Sequence, residues 1–450
     1  MRRHPRARSL GKAATGDALL GLGMGTASAL GYLFVVILSR ALGPADFGGF
    51  SSFNSIGLVL AIPAGAFQVV FASRVARRGP AAFDLRLPLL VGAVGCLATV
   101  VLSPALAHIT RVDSVLAPIV VGLGLPSLIL NGALMGGLLG MRRVGALSLV
   151  YLATGLSRVL AATLTSVLGL GLTGALVLVA LAGTVGTGLL WWLCRGEAHL
   201  PWAAPRGSRG VVVRTLYRSN SSMGVLMALT TVDVVLARYV LPRVESGEYA
   251  LVSTLGRSPI WVTQFLALAL IPTLATSGSR RSILRAGGLV LGVCALGTAV
   301  AAAAPDLWVG LLGGDAYHAA SDLLLPYLAL GTLLALAQVL VMAEMAQGRH
   351  LLAKVAWLAV LLEVVVCLTY ARDNALHVLA TAILATSLVV VVGVAELLLG
   401  LHREPRTMGT GSTEGTGGPG GTEAASATSS DQSVSRPAPV APSRHGSDRP

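Results

Sequence analysis

The sequence predicts an all-α polytopic membrane protein of twelve transmembrane helices in two pseudo-symmetric six-helix lobes around a central cavity. Three observations carry this. Of 450 residues, 54% are apolar and only 12% charged, against about 25% charged in soluble domains. Apolar runs of about 20 residues, the length that crosses a hydrocarbon core, recur twelve times. Punctuation in the first half returns in the second.

The expected spans are 17–39, 48–72, 87–107, 115–140, 144–167, 170–194, 219–240, 249–276, 284–305, 321–346, 351–371 and 374–400. None shows the alternation of an outer-membrane barrel, so helices are expected. The basic start and "ASA" at Ala27 to Ala29 imitate a cleavable leader, but cleavage would remove the first span and break the repeat. The expected organisation is a basic N-terminus (1–16), a first lobe (17–194), a basic linker (195–218), a second lobe (219–400) and a tail (401–450). That tail, rich in Gly, Ser and Thr, cannot bury enough apolar surface to fold.

Basic residues fix the expected orientation. One set of loops holds twenty-three, including Arg2, Arg3, Arg74, Arg77, Arg78, Arg142, Arg143, Arg280 and Arg281. The alternate loops hold five: Arg40, Arg111, Arg238, Arg243 and Arg372. Both termini are expected in the cytoplasm. The net charge of +13 reads as this topological signal and as attraction to anionic headgroups of membrane lipids, not as nucleic-acid binding. Cys96, Cys194, Cys294 and Cys367 lie in or beside expected helices without CxxC spacing, so they read as small core residues and no metal site is expected.

The repeat is specific. "LSRALGP" (Leu38 to Pro44) and "LARYVLP" (Leu236 to Pro242) share Leu, Arg and Pro at an offset of 198, and Phe47 falls on Tyr249 at an offset of 202. A weaker echo pairs "GMRRVGALSLV" from Gly140 with "GRHLLAKVAWL" from Gly348. Two halves of six spans point the same way through a membrane, the parallel-repeat plan of many transporters. Shared turn residues in helical hairpins are the bland alternative.

The same residues carry a family resemblance. "LSRALGPADFGGFSSFNSIGLVL", "DVVLARYVLPRVESGEYALVSTL" and "LLGGDAYHAASDLLLPYLAL" resemble the first outer loop and second helix, the seventh helix with its Gly-x-Tyr loop, and the segment entering the tenth helix of polysaccharide flippases. These belong to the multidrug/oligosaccharidyl-lipid/polysaccharide exporter superfamily. The resemblance spans roughly residues 15–400. It implies a non-enzymatic flippase that moves an undecaprenyl-diphosphate-linked oligosaccharide across a bacterial cytoplasmic membrane for surface polysaccharide assembly. It also implies a cavity lined by helices one, two, seven and eight, and glycosyltransferases and a polysaccharide polymerase as partners.

Within those helices, Asn54, Gly57, Ala61, Gly65 and Gln68 form a small, polar stripe on the second span, which suits either a cavity or close helix packing. Arg257, Trp261 and Gln264 share one side of the eighth. An arginine inside a span costs at least about 2.5–3.5 kcal/mol and faces a partner or water, so Arg257, with a forked guanidinium suited to a diphosphate, is the leading substrate-binding candidate. Arg158, inside the fifth span, is a second candidate for the cavity or for a structural pair. Asp233, Arg238 and Arg40 are candidates for an ion pair closing an outer gate, for a pair fixing one lobe, or, at Asp233, for ion coupling. Glu363 and Glu396 are more peripheral acids.

No GxxxxGK[ST] phosphate loop is present, so neither a nucleotide nor any other cofactor is expected. The principal alternative is a cation-coupled drug or metabolite antiporter of the same superfamily, which would concentrate acids in its cavity. A membrane glycosyltransferase would need a larger outer domain than the fifteen residues from Pro305 to Ala319.

Overall fold

The computed structural model describes residues 5–79, 85–195, 209–260, 280–346, 349–370 and 374–399. Wherever one of the twelve expected spans falls within them, it is helical. The helices are α1 (Pro5–Leu60), α2 (Ile62–Arg78), α3 (Arg86–Val101), α4 (Ser103–Ile109), α5 (Leu116–Gly140), α6 (Val144–Val167) and α7 (Leu172–Cys194). There follow α8 (Arg209–Val240), α9 (Arg243–Gly256), α10 (Arg280–Ala303), α11 (Pro305–Gly313), α12 (Ser321–Ala346), α13 (Leu351–Tyr370) and α14 (Ala375–Leu398), with a 3₁₀ turn at Asp315–Ala320. Among the described residues, eight helical stretches are long and apolar enough to span a membrane, or nine when α3 and α4, bent by 64°, count as one. α1 begins at Pro5 and α8 at Arg209, inside segments that the sequence reads as basic N-terminus and basic linker.

The stretch between the first two spans is a break in continuous helix. Gly43 stands at φ 68° inside α1 and Pro44 follows it. Only glycine takes that backbone readily, and proline is favoured where a helix starts again. Close contacts show that the chain reverses there. A Cβ at Gly23 would stand 2.9 Å from Ser148 at the start of α6, and one at Gly155 2.9 Å from Leu30, so the first stretch of α1 runs parallel to α6. Beyond the break, the nearest neighbour of Gly57 is Val121, and a Cβ at Gly140 would stand 2.8 Å from Val75. This stretch and α2 therefore run parallel to α5. Gly140 is only four residues before Val144, so Gly23 and Val75 lie at one end of the bundle and Gly43 at the other.

Glycine governs the crossings because no hydrophobic force separates helix from lipid and close approach of backbones must supply the contact. Gly132 and Gly136 of α5 lie against the backbone of Ala64 and Gln68, and Gly331 of α12 lies under the carbonyl of Gly256 in α9. Two hydrophobic clusters gather residues of α1, α2, α5, α6 and α7; the largest gathers Phe47 with residues of α8 to α14. Leucines such as Leu97, Leu160, Leu296 and Leu384 stand exposed on the flanks, as side chains that face acyl chains do. Cys194, Cys294 and Cys367 are buried and Cys96 is partly buried, with no disulfide among the described residues.

At the opposite end, Glu344 closes α12 onto α13. Its carboxylate accepts from the backbone N–H groups of Leu351 (2.5 Å) and Leu352 (2.8 Å), which meets two orphan donors of the first helical turn. Arg349 donates to Glu396 at 2.8 Å, so that acid is paired within its own half.

Candidate substrate site and the seam at the Gly43 end

α9 ends at Gly256 and Arg257 is its cap residue, with Pro259 just beyond. A cation suits a helix C-terminus. Arg257 Nη2 donates to Asp233 Oδ1 of α8 at 2.7 Å and to the Tyr327 hydroxyl of α12 at 3.2 Å. Asp233 Oδ2 accepts from the hydroxyls of Tyr249 (3.2 Å) and Tyr327. The two tyrosine rings meet edge to face at 5.3 Å. Asp233 is thus sealed by three donors with 2% of its side chain exposed, whereas Arg257 retains 17%. The arginine side chain is thus mostly buried but keeps more exposure than its carboxylate partner.

The other expected site residues disperse. Arg158 is exposed midway along α6 and has no partner among the described residues. On the second span, Asn54 and Gly65 are exposed and nothing stands within 4 Å of a Cβ at Gly65. The stripe is therefore divided: Asn54 and Gly65 are open, while Gly57 faces Val121 and the backbone of Gln68 lies against Gly136 of α5. Gln68 reaches the hydroxyl of Tyr151 on α6. Trp261 and Gln264 lie outside the described residues. Glu363 is buried on α13, and neither carboxylate oxygen has a hydrogen-bond partner among the described residues.

Asp233 does not pair with Arg238 or Arg40, which differs from the gate pair the sequence suggested: Arg257 already satisfies the carboxylate. The two arginines instead bind carbonyls across the two halves. Arg238, 3% exposed, donates from Nε to the Thr110 carbonyl (2.8 Å) and from Nη1 to the carbonyls of Ala45 (2.9 Å) and Arg243 (3.2 Å) and to Ser246 Oγ (3.0 Å). Arg40 Nη2 donates to the Leu311 carbonyl at 2.8 Å and Ser39 Oγ to that of Leu312 at 2.8 Å, while the buried Tyr317 hydroxyl donates to the Ser39 carbonyl at 3.1 Å. Arg111 Nη1 donates to the Leu241 carbonyl at 3.1 Å. A Cβ at Gly48 would stand 2.9 Å from Ser246 Oγ. The outermost contact is Arg243 with Asp113, a two-pronged pair at 2.8 and 3.1 Å. Hydrogen bonding and charge from Arg243 hold the Asp113 carboxyl below its ordinary value.

Four of the five arginines assigned to the outer loops thus converge on one seam. Beside it lies a cavity of about 500 Å³ lined by His108, Arg111, Asp113, Tyr239 and Arg243 among others.

The tyrosine hydroxyls were missed by sequence reasoning, although the repeat carries a sign of them. At the offsets of 198 and 202, Asp233 and Tyr249 replace Val35 and Phe47: a polar pair occupies one half where the other has an apolar pair.

No family model and no curated protein matches this sequence. Solved structures do. An inward-facing multidrug resistance MATE family transporter of the MOP superfamily superimposes with a TM-score of 0.65 at 13% identity, over 83% of this chain and 95% of that one. The lipid II flippase MurJ in an inward closed conformation gives 0.67 at 10% identity, over 86% and 88%. An outward-facing MATE transporter gives 0.55 at 15% identity, over 86% and 95%. The fold is shared with these transporters. Multidrug resistance transporters and a lipid II flippase are alike in it, so the fold does not choose the substrate.

Proposed function

We propose that the chain is a flippase for an undecaprenyl-diphosphate-linked oligosaccharide or similar lipid-linked glycan, working by alternating access in a bacterial cytoplasmic membrane. The sign of the accessible charge carries this reading. Among the described residues of the spans, Arg158 is exposed and Arg257 keeps 17% of its side chain exposed, while Asp233 and Glu363 are buried. A site that presents guanidinium and hides carboxylate attracts a phosphate-bearing ligand and repels a cationic drug.

The seam at the Gly43 end would be the outer gate, closed in this conformation. Opening would release the carbonyl clamps of Arg238 and Arg40 as one half rocks against the other. Asp233 and the unpartnered Glu363 are the acids available for coupling to an ion gradient. Glycosyltransferases and a polymerase would supply and consume the glycan.

Ligand stabilisation of the purified protein tests the charge argument. Undecaprenyl diphosphate is expected to raise the melting temperature at concentrations where ethidium, a cationic probe, does not. Stabilisation by ethidium alone would favour the antiporter reading.

A further inference from the structure

We propose that Asp233 is a built-in competitor for Arg257 that makes the site refuse singly charged phosphate headgroups and admit a diphosphate. The inference rests on the flippase reading above and concerns its selectivity.

The problem it answers is one of abundance. A partly exposed guanidinium within a bilayer meets monoanionic phospholipids at far higher density than any lipid-linked glycan. Bare, it would be occupied by them. Here Asp233 Oδ1 holds Arg257 at 2.7 Å, and the competitor is part of the same chain, 24 residues away. Tethering converts competition into an intramolecular event with a high effective concentration. A phosphodiester of one negative charge offers Arg257 no more Coulomb attraction than the carboxylate does and must also displace it. A diphosphate brings more than one charge, and attraction grows with that charge in a low-dielectric site. It also brings a second acceptor group, for which a donor is ready: Arg257 Nε is buried without a partner among the described residues.

The tyrosines make the exchange reversible. When Arg257 turns to a ligand, Asp233 keeps the hydroxyls of Tyr249 and Tyr327, so the released carboxylate is not stranded without donors. A purely structural ion pair needs no such reserve.

The test is binding of undecaprenyl diphosphate and of phosphatidylglycerol to the full-length protein, measured by native mass spectrometry. Wild type is expected to prefer the diphosphate lipid by at least about tenfold. Asp233→Asn is expected to bind phosphatidylglycerol at least about tenfold more tightly than wild type does, which erodes the preference. Tyr249→Phe/Tyr327→Phe keeps the ion pair and the ring packing. It is expected to move the other way, with the diphosphate lipid bound several-fold more weakly and no gain for phosphatidylglycerol, and it answers the question should Asp233→Asn fail to fold. The inference is overturned if Asp233→Asn loses both lipids, since Asp233 would then only position Arg257. It is also overturned if the tyrosine variant binds as wild type, or if wild type binds both lipids alike. A folded wild type that binds no diphosphate lipid instead overturns the flippase reading itself.

Discussion

Replacing Arg257 by alanine is expected to abolish transport of a diphosphate-linked lipid. Charge-assisted hydrogen bonds are worth about 1.5–3 kcal/mol, so loss of the guanidinium weakens diphosphate affinity by ~10–150-fold. The variant has a second effect that must be separated from the first. Asp233 would remain buried with two tyrosine donors and no cation, and breaking a buried pair by removing one partner costs about 3–5 kcal/mol. Arg257→Ala should therefore melt earlier as well as bind less. Arg257→Ala/Asp233→Asn removes both charges and is expected to recover much of the lost stability without recovering transport. Arg257→Lys keeps the charge but not the fork, and partial transport is expected. Recovery of transport in the double variant would show that the arginine serves folding alone.

Loosening the seam is expected to produce the next largest change. Arg238 ties the Thr110 and Ala45 carbonyls to the α8–α9 turn through a guanidinium that is almost wholly enclosed. Lysine cannot reproduce four bonds in three directions. If Arg238→Ala removes about 3 kcal/mol from the closed arrangement, the equilibrium between closed and open outer ends shifts by roughly 150-fold. A cysteine at Ser246, which is buried in the closed arrangement, would then react much faster with a membrane-impermeant maleimide added from outside. The converse experiment is Asp113→Cys/Arg243→Cys in a protein whose four natural cysteines are replaced. These exposed positions face each other across the seam, so a reductant-cleavable bifunctional thiol reagent should join them and stop transport until a reductant is added. Undiminished transport by the cross-linked protein would exclude the seam as a moving gate.

These residues also show what the sequence could and could not disclose. The helices were legible because a bilayer leaves the backbone no other partner, so long apolar runs have one outcome. The repeat was legible because turns need particular residues, and "LSRALGP" and "LARYVLP" share them. The break at Gly43 was legible as the gap between spans 17–39 and 48–72, although the helix resumes at once on Pro44. Asp233 and Arg257 were each singled out, but not as partners: they stand 24 residues apart on different helices. The nearer Arg238 looked the better match in one dimension. The seam was invisible for a different reason. Arg238 and Arg40 bind backbone carbonyls, and a carbonyl belongs to every residue, so recognition of one leaves no mark in residue types.

The central claim is that this chain carries a diphosphate-linked lipid across the membrane. Its most direct test is the flipping of a labelled undecaprenyl-diphosphate oligosaccharide in proteoliposomes, with protein-free vesicles as the control. Wild-type protein is expected to move the label between leaflets well above that control. Folded wild-type protein that flips none of several such glycans, yet exports ethidium against a proton or sodium gradient, would contradict the claim.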